Sequence, residues 1–215
     1  MCPHAHMTGR GLYALTWNRR SCLEPICLEP MPEAPDRTVP LLDREQELRA
    51  LRAALVEAGA ENGQLLLIEA PAGLGKTSLL RASFDAASEM GFAVLRARAS
   101  ELERDFPYGC VRQLLEPAVS RAAAAERERL FDGAAALAMP LFEARAPVAQ
   151  AESSSDSAFS VLHGLYWLLN NLTRAKPVAL CVDDLQWADA ESLHFLSYLA
   201  PRLDGLALEI GRAHV

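Results

Sequence analysis

The segment Gln64–Thr77, QLLLIEAPAGLGKT, constrains this chain more than any other. Gln64–Glu69 is a short apolar run of the kind that forms a strand buried on both faces. A glycine-containing loop follows at once, and then a helical pattern with Leu79, Leu80 and Phe84 that closes at Gly91. Strand, loop and helix in that order call for a parallel α/β sheet. The loop matches the phosphate-binding pattern GxxxxGK[ST], except that Ala70 stands where the first glycine would be. The residue types have physical reasons. Gly73 and Gly75 can take positive φ and bring backbone N–H groups close to phosphate oxygens. The helix N-terminus adds partial positive charge. Lys76 is placed to reach the β- and γ-phosphates, where it would also act catalytically, and the Thr77 hydroxyl suits Mg²⁺. The candidate nucleotide-binding set is therefore Ala70, Pro71, Ala72, Gly73, Leu74, Gly75, Lys76, Thr77 and Ser78. Ala70 tightens the entry to the turn but removes no phosphate-contacting group.

The second motif is Val178–Asp184, an apolar strand ending in two carboxylates. On its own, such a pair reads as a helix cap at a strand–helix junction. Behind a phosphate loop, Asp183 is a candidate for the Mg²⁺ shell, and Asp184 for orienting or deprotonating the attacking water.

Around these motifs the pattern alternates. Asp43 and Gln46 form a capping-box spacing before a helix carrying Leu48, Leu51 and Leu55. Phe92–Arg96 predicts a second strand, and residues 110–138 are helix-rich. Residues 143–157 are small and polar and read as a loop. Ala158–Thr173 returns to helical spacing, Ala190–Leu203 predicts a further helix, and Leu206–Leu208 begins a fourth strand. The expected fold class is thus α/β, a three-layer sandwich with a parallel sheet and helices on both faces. Asp189 most simply caps the helix after it, Trp187 packs under the site, and His163 with Trp167 packs in the core. Glu101, Glu103 and Arg104 fall at a strand end and receive no role.

Composition narrows the function. The 215 residues carry a net charge of −7, which argues against a direct grip on nucleic acid. No run of about 18 apolar residues is present, so no membrane helix is expected. The five cysteines form no CxxC pair, which gives neither a zinc site nor a redox motif, and Cys181 reads as a small core residue. The start lacks a basic patch followed by an apolar stretch, so a cytoplasmic location is expected.

The two ends differ from the middle. Residues 1–30 include the tandem CLEPICLEP and show no periodic apolar face, and Pro25, Pro30, Pro32 and Pro35 oppose regular structure. They read as a non-native or disordered extension before a domain at 31–208. Residues 209–215 read as an artefactual tail. Ile210–Val215 back-translates to ATC-GGA-AGA-GCA-CAC-GTC, which is similar to a sequencing adapter, so a C-terminal truncation with an incomplete edge strand is expected.

Taken together, PLLDREQELRALRAAL, LLLIEAPAGLGKTSLLRA, ASELERDFPYGCVRQLLEP, HGLYWLLNNL and VALCVDDLQWADAESLHFLSYLAPRL resemble the N-terminal ATPase module of large LuxR-type transcriptional regulators. These belong to the STAND branch of AAA+-like P-loop ATPases. The resemblance covers about residues 38–208, with DDLQWAD its most specific tag. It implies a P-loop NTPase fold, ATP and Mg²⁺ as cofactors, and slow ATP hydrolysis serving as an ATP/ADP switch. It also implies a helical repeat region and a DNA-binding domain beyond this segment, and self-association of the full-length protein. Arg44 and Glu45 match the family's entry motif, next to which the backbone approaches adenine. Two alternatives stay open. One is a nucleotide-binding interaction module that does not hydrolyse ATP. The other is the corresponding module of a bacterial nucleotide cyclase.

Overall fold

The computed structural model describes residues 13–18, 21–26, 44–69, 75–143 and 155–214. In chain order the elements are β1 (Tyr13–Asn18), β2 (Ser21–Ile26), α1 (Glu45–Gly59), β3 (Gln64–Glu69), α2 (Lys76–Glu89), β4 (Ala93–Arg98), α3 (Gly109–Arg121), α4 (Ala124–Leu130), α5 (Met139–Glu143), α6 (Ser155–Ala175), β5 (Val178–Asp183), α7 (Ala190–Leu199) and β6 (Leu208–His214). One six-stranded sheet runs in the order β2-β1-β3-β6-β5-β4. β3, β6, β5 and β4 pair in parallel, as expected for strands joined by helices. β1 and β2 form an antiparallel pair on the β3 side.

The alternation of side chains along β5 separates the layers. Val178, Leu180 and Val182 face a core completed by Leu114 and Leu115 of α3, Leu165, Leu168 and Leu169 of α6, and Phe195 of α7. Ala179 faces the opposite side, beside Leu55 and Ala58 of α1 and Ala86 and Ala87 of α2. Leu66 and Ile68 of β3 close the second face against Leu79 and Leu80. These apolar side chains are almost fully removed from water, the valines, leucines, Ile68 and Phe195 each contributing roughly 1.5–3 kcal/mol. The helices on the two faces make the expected α/β sandwich.

Several local expectations are revised. Residues 22–30 showed no strand pattern, yet Ser21–Ile26 is a strand. It is the outermost of the sheet, where Pro25 can sit because one side of the strand needs no ladder N–H. Helix α1 starts at Glu45 with Arg44 at the N-cap and no side-chain cap, so the Asp43–Gln46 spacing does not set its start. Asp43 itself lies outside the described residues. Glu45 and Glu47 in the first turn supply the negative charge that the helix dipole favours there. Helix α7 ends at Leu199 and not Leu203, because Pro201 has no N–H to continue the ladder and the chain passes into a 3-10 segment at Ala200–Arg202. Helix α6 begins at Ser155, inside the segment read as a loop. The fourth parallel strand begins at Leu208 and continues to His214. It is no edge: β6 lies between β3 and β5.

Candidate functional site

All four parallel strands end on the same side of the sheet, the side on which open α/β sheets bind ligands. Arg98 at the end of β4 is the register partner of Asp183 at the end of β5. Helix α2 packs across β4, β5 and β6. Small residues permit that approach. A Cβ on Gly211 of β6 would stand 3.4 Å from Leu80 Cδ1, and the neighbouring β5 positions are Ala179 and Cys181.

Gly75 is the N-cap of α2 and has φ of 76°, a left-handed conformation suited to glycine. Among the described residues no side chain caps the helix, so its first N–H groups have no intrahelical or side-chain acceptor there. Lys76 opens the helix, and Thr77 and Ser78 follow on its exposed first turn. Ala70, Pro71, Ala72, Gly73 and Leu74 lie outside the described residues.

A cavity of about 260 Å³ sits below this turn, lined by Thr77, Leu80, Arg81, Phe84, Arg96, Ala97, Arg98 and Asp183. It joins Thr77 and Asp183, which are 106 positions apart in sequence, because β5 ends beneath the start of α2. Asp184 follows with φ of 56°, one of the few non-glycine residues in the left-handed region. Such a strained backbone concentrates where geometry serves a purpose. Its N–H donates to Asp183 Oδ1 at 3.0 Å. Its carboxylate accepts from Arg98 Nε at 3.1 Å and from Gln186 Nε2 at 3.4 Å.

The arginines were not foreseen. Arg98 and Arg96 both project from the end of β4, with the Arg96 guanidinium 4.4 Å above the Phe84 ring. The strand expected from sequence stops at Arg96, and only the observed Ala93–Arg98 strand, paired with β5, brings Arg98 to the site.

Asp189 is the N-cap of α7, as expected, and accepts from Ser192 N at 2.8 Å. It also accepts from Tyr108 N at 2.8 Å and Cys110 N at 3.1 Å, so one buried carboxylate caps both α7 and α3. Burial, helped by the Asp189 charge and then by Glu103, pushes the Cys110 thiol up to about 12. Burial also pushes the Cys181 thiol well above its ordinary value. Both thiols are inert core groups. Trp187 packs against the main core, and Trp167 Nε1 donates to His163 Nε2 at 3.1 Å within α6. Glu101 and Glu103 lie in an exposed 3-10 turn, and Glu103 accepts from Gln113. Arg44 pairs with Glu47 at 3.4 Å.

The family model of the AAA ATPase domain matches residues 40–208, most of the chain. The chain belongs to the AAA ATPase domain family. Its parallel sheet flanked by helices is accordingly the fold of a P-loop NTPase-like AAA domain. No curated protein and no solved structure matches this AAA domain. Among the described residues, no helix is long and apolar enough to cross a membrane. Membership makes nucleotide binding the activity to be explained at the strand ends.

The donors at those ends suit Mg²⁺ and a nucleotide. Thr77 and Asp183 offer hard oxygens to one cavity. Among the described residues, no three His, Cys, Asp or Glu side chains gather into a metal site.

Proposed function

We propose that this AAA domain binds Mg-ATP and hydrolyses it slowly as an ATP/ADP switch within a signal-responsive bacterial transcriptional regulator. The observation that carries the reading is the cavity that Thr77 and Asp183 share at the start of α2. Gly73, Gly75 and the first N–H groups of α2 hold phosphate oxygens, and Lys76 supplies the cation. Thr77 and Asp183 hold Mg²⁺. When bound, the ion neutralises charge on the β- and γ-phosphates. Asp184 orients the attacking water and accepts its proton. The sequence resemblance to LuxR-type regulators supports the regulatory setting, in which DNA is contacted elsewhere in the full-length protein and the acidic domain stays in the cytoplasm.

One observation favours a second reading. In this conformation the Asp184 carboxylate accepts from Arg98 and Gln186, and those bonds lower its basicity toward a water. A domain that stays this way binds ATP without hydrolysing it. Single-turnover hydrolysis separates the two. A switch releases phosphate from bound ATP, and Asp184→Asn slows that release about a hundredfold, within the usual contribution of a general base. A binding module gives no phosphate with either protein.

A further inference from the structure

We propose that the outer stripe of α3 is a self-complementary docking face, on which a second copy of this chain packs antiparallel about a two-fold axis. A groove of about 610 Å³ runs along that helix, lined on one side by Gly109, Arg112, Gln113, Glu116, Pro117 and Ser120. These positions follow i, i+3, i+4, i+7, i+8 and i+11, one stripe about 16 Å long at about 1.5 Å per residue. Leu114 and Leu115 of the same helix point into the core, which leaves the stripe on the outside. The other wall is formed by Leu102 and Phe106, which are 97% and 44% exposed. Exposed apolar side chains gathered at a groove, unlike scattered ones, mark association surfaces.

Two features select a second copy as the occupant. The first is the order of the stripe, which maps onto itself when reversed. About the midpoint between Leu114 and Leu115, Gly109 falls on Ser120, Arg112 on Pro117 and Gln113 on Glu116. An isologous two-fold contact needs this property, because the same patch is used by both subunits. The small Gly109 and Ser120 then oppose each other at both ends, where they allow close approach. Phe106 lies 3.2 Å from where a Gly109 Cβ would stand, so it meets the Pro117–Ser120 end of the second copy. The second feature is charge. Arg112 and Glu116 pair within α3 at 3.5 Å, and the Glu116 side chain is 46% exposed. The reversal sets Arg112 of each copy beside Glu116 of the other, joining two pairs into four alternating charges. Glu103 accepts from Gln113 Nε2 at 3.1 Å, which keeps that carboxylate engaged within its own copy.

Sedimentation equilibrium of the full 215-residue chain, without nucleotide, tests the face. Wild type should form a reversible dimer. Leu102→Asp alters a fully exposed side chain and should raise the dimer dissociation constant at least tenfold. Arg112→Glu and Glu116→Arg, each alone, should raise it about tenfold by setting like charges together. Mixed in equal amounts, these two variants regain opposite charges at both contacts, and the mixture should dimerise within about threefold of wild type. Recovery on mixing requires both variants to be folded and the contact to lie between copies. A wild-type chain still monomeric at about 1 mM, as when a different protein or its own chain fills the groove, overturns the proposal. So does a dimer that none of the variants weakens, or a pair of charge variants that stays monomeric when mixed.

Discussion

Arg98 Nε lies 3.1 Å from Asp184 Oδ2, joining the ends of β4 and β5 across 86 positions of sequence. The pair stands directly beside the cavity shared by Thr77 and Asp183. Two adjacent carboxylates thus face different partners. Asp183 lines the cavity and accepts the N–H of Asp184, while Asp184 turns outward in a left-handed conformation to meet the arginine. A division of labour between metal holding and water orientation needs that divergence.

Asp183→Asn tests the metal half of this division. The substitution removes one charge from the Mg²⁺ shell and leaves the phosphate loop intact. ATP affinity should drop about tenfold with Mg²⁺ present and change less than threefold in excess chelator. Equal losses under both conditions would remove Asp183 from the metal site.

Much of this arrangement was legible in the sequence, and the remainder has identifiable physical causes. β3, α2 and β5 could be read because both strands are apolar runs and the glycine loop marks the junction. The layers follow from the same alternation. Strand β2 escaped notice because Pro25 argues against a ladder, and only its outermost position removes the objection. β6 was read short because residues 209–215 read as an artefactual tail, whereas Leu208–His214 is one strand in the middle of the sheet. Asp189 was legible as the cap of α7 because it stands directly before the helical pattern that begins at Ala190. Its bonds to Tyr108 and Cys110 depend on how α3 packs against α7, which no local pattern encodes.

Asp189 carries a stability prediction. Replacement by alanine leaves the N–H groups of Tyr108, Cys110 and Ser192 without their acceptor in a buried setting. The cost should be about 3 kcal/mol, from lost charge-assisted bonds and two lost caps. Asp189→Asn keeps one acceptor oxygen and should cost less. Urea unfolding measures both, and a change within 0.5 kcal/mol for alanine, the usual range of about zero for surface sites, would contradict the double-cap role.

Glu209 predicts a pH dependence. It is fully buried in β6, neither carboxyl oxygen has a hydrogen-bond partner among the described residues, and burial raises its pKa from 4.5 to about 8. Below 4.5 both folded and unfolded chains hold this proton, and stability is unaffected. Between 4.5 and about 8 the unfolded chain releases the proton while the folded one keeps it, so stability falls as pH rises. Above about 8 the loss is complete, amounting to a few kcal/mol at about 1.4 kcal/mol per unit. Glu209→Val should flatten this slope and raise stability at neutral pH. Equal slopes for both proteins between pH 5 and 8, measured by urea unfolding, would show that Glu209 is solvated or paired.

The central claim is that the start of α2 and the ends of β4 and β5 form a nucleotide site. Calorimetric titration of ATP with Mg²⁺ into wild type and Lys76→Ala tests it most directly. Lys76 heads α2 at the exposed end of the helix, so its loss should leave the fold unchanged. The account predicts saturable binding by wild type and an affinity at least tenfold weaker, about 1.4 kcal/mol, for the variant. Equal affinity in the two proteins would contradict it.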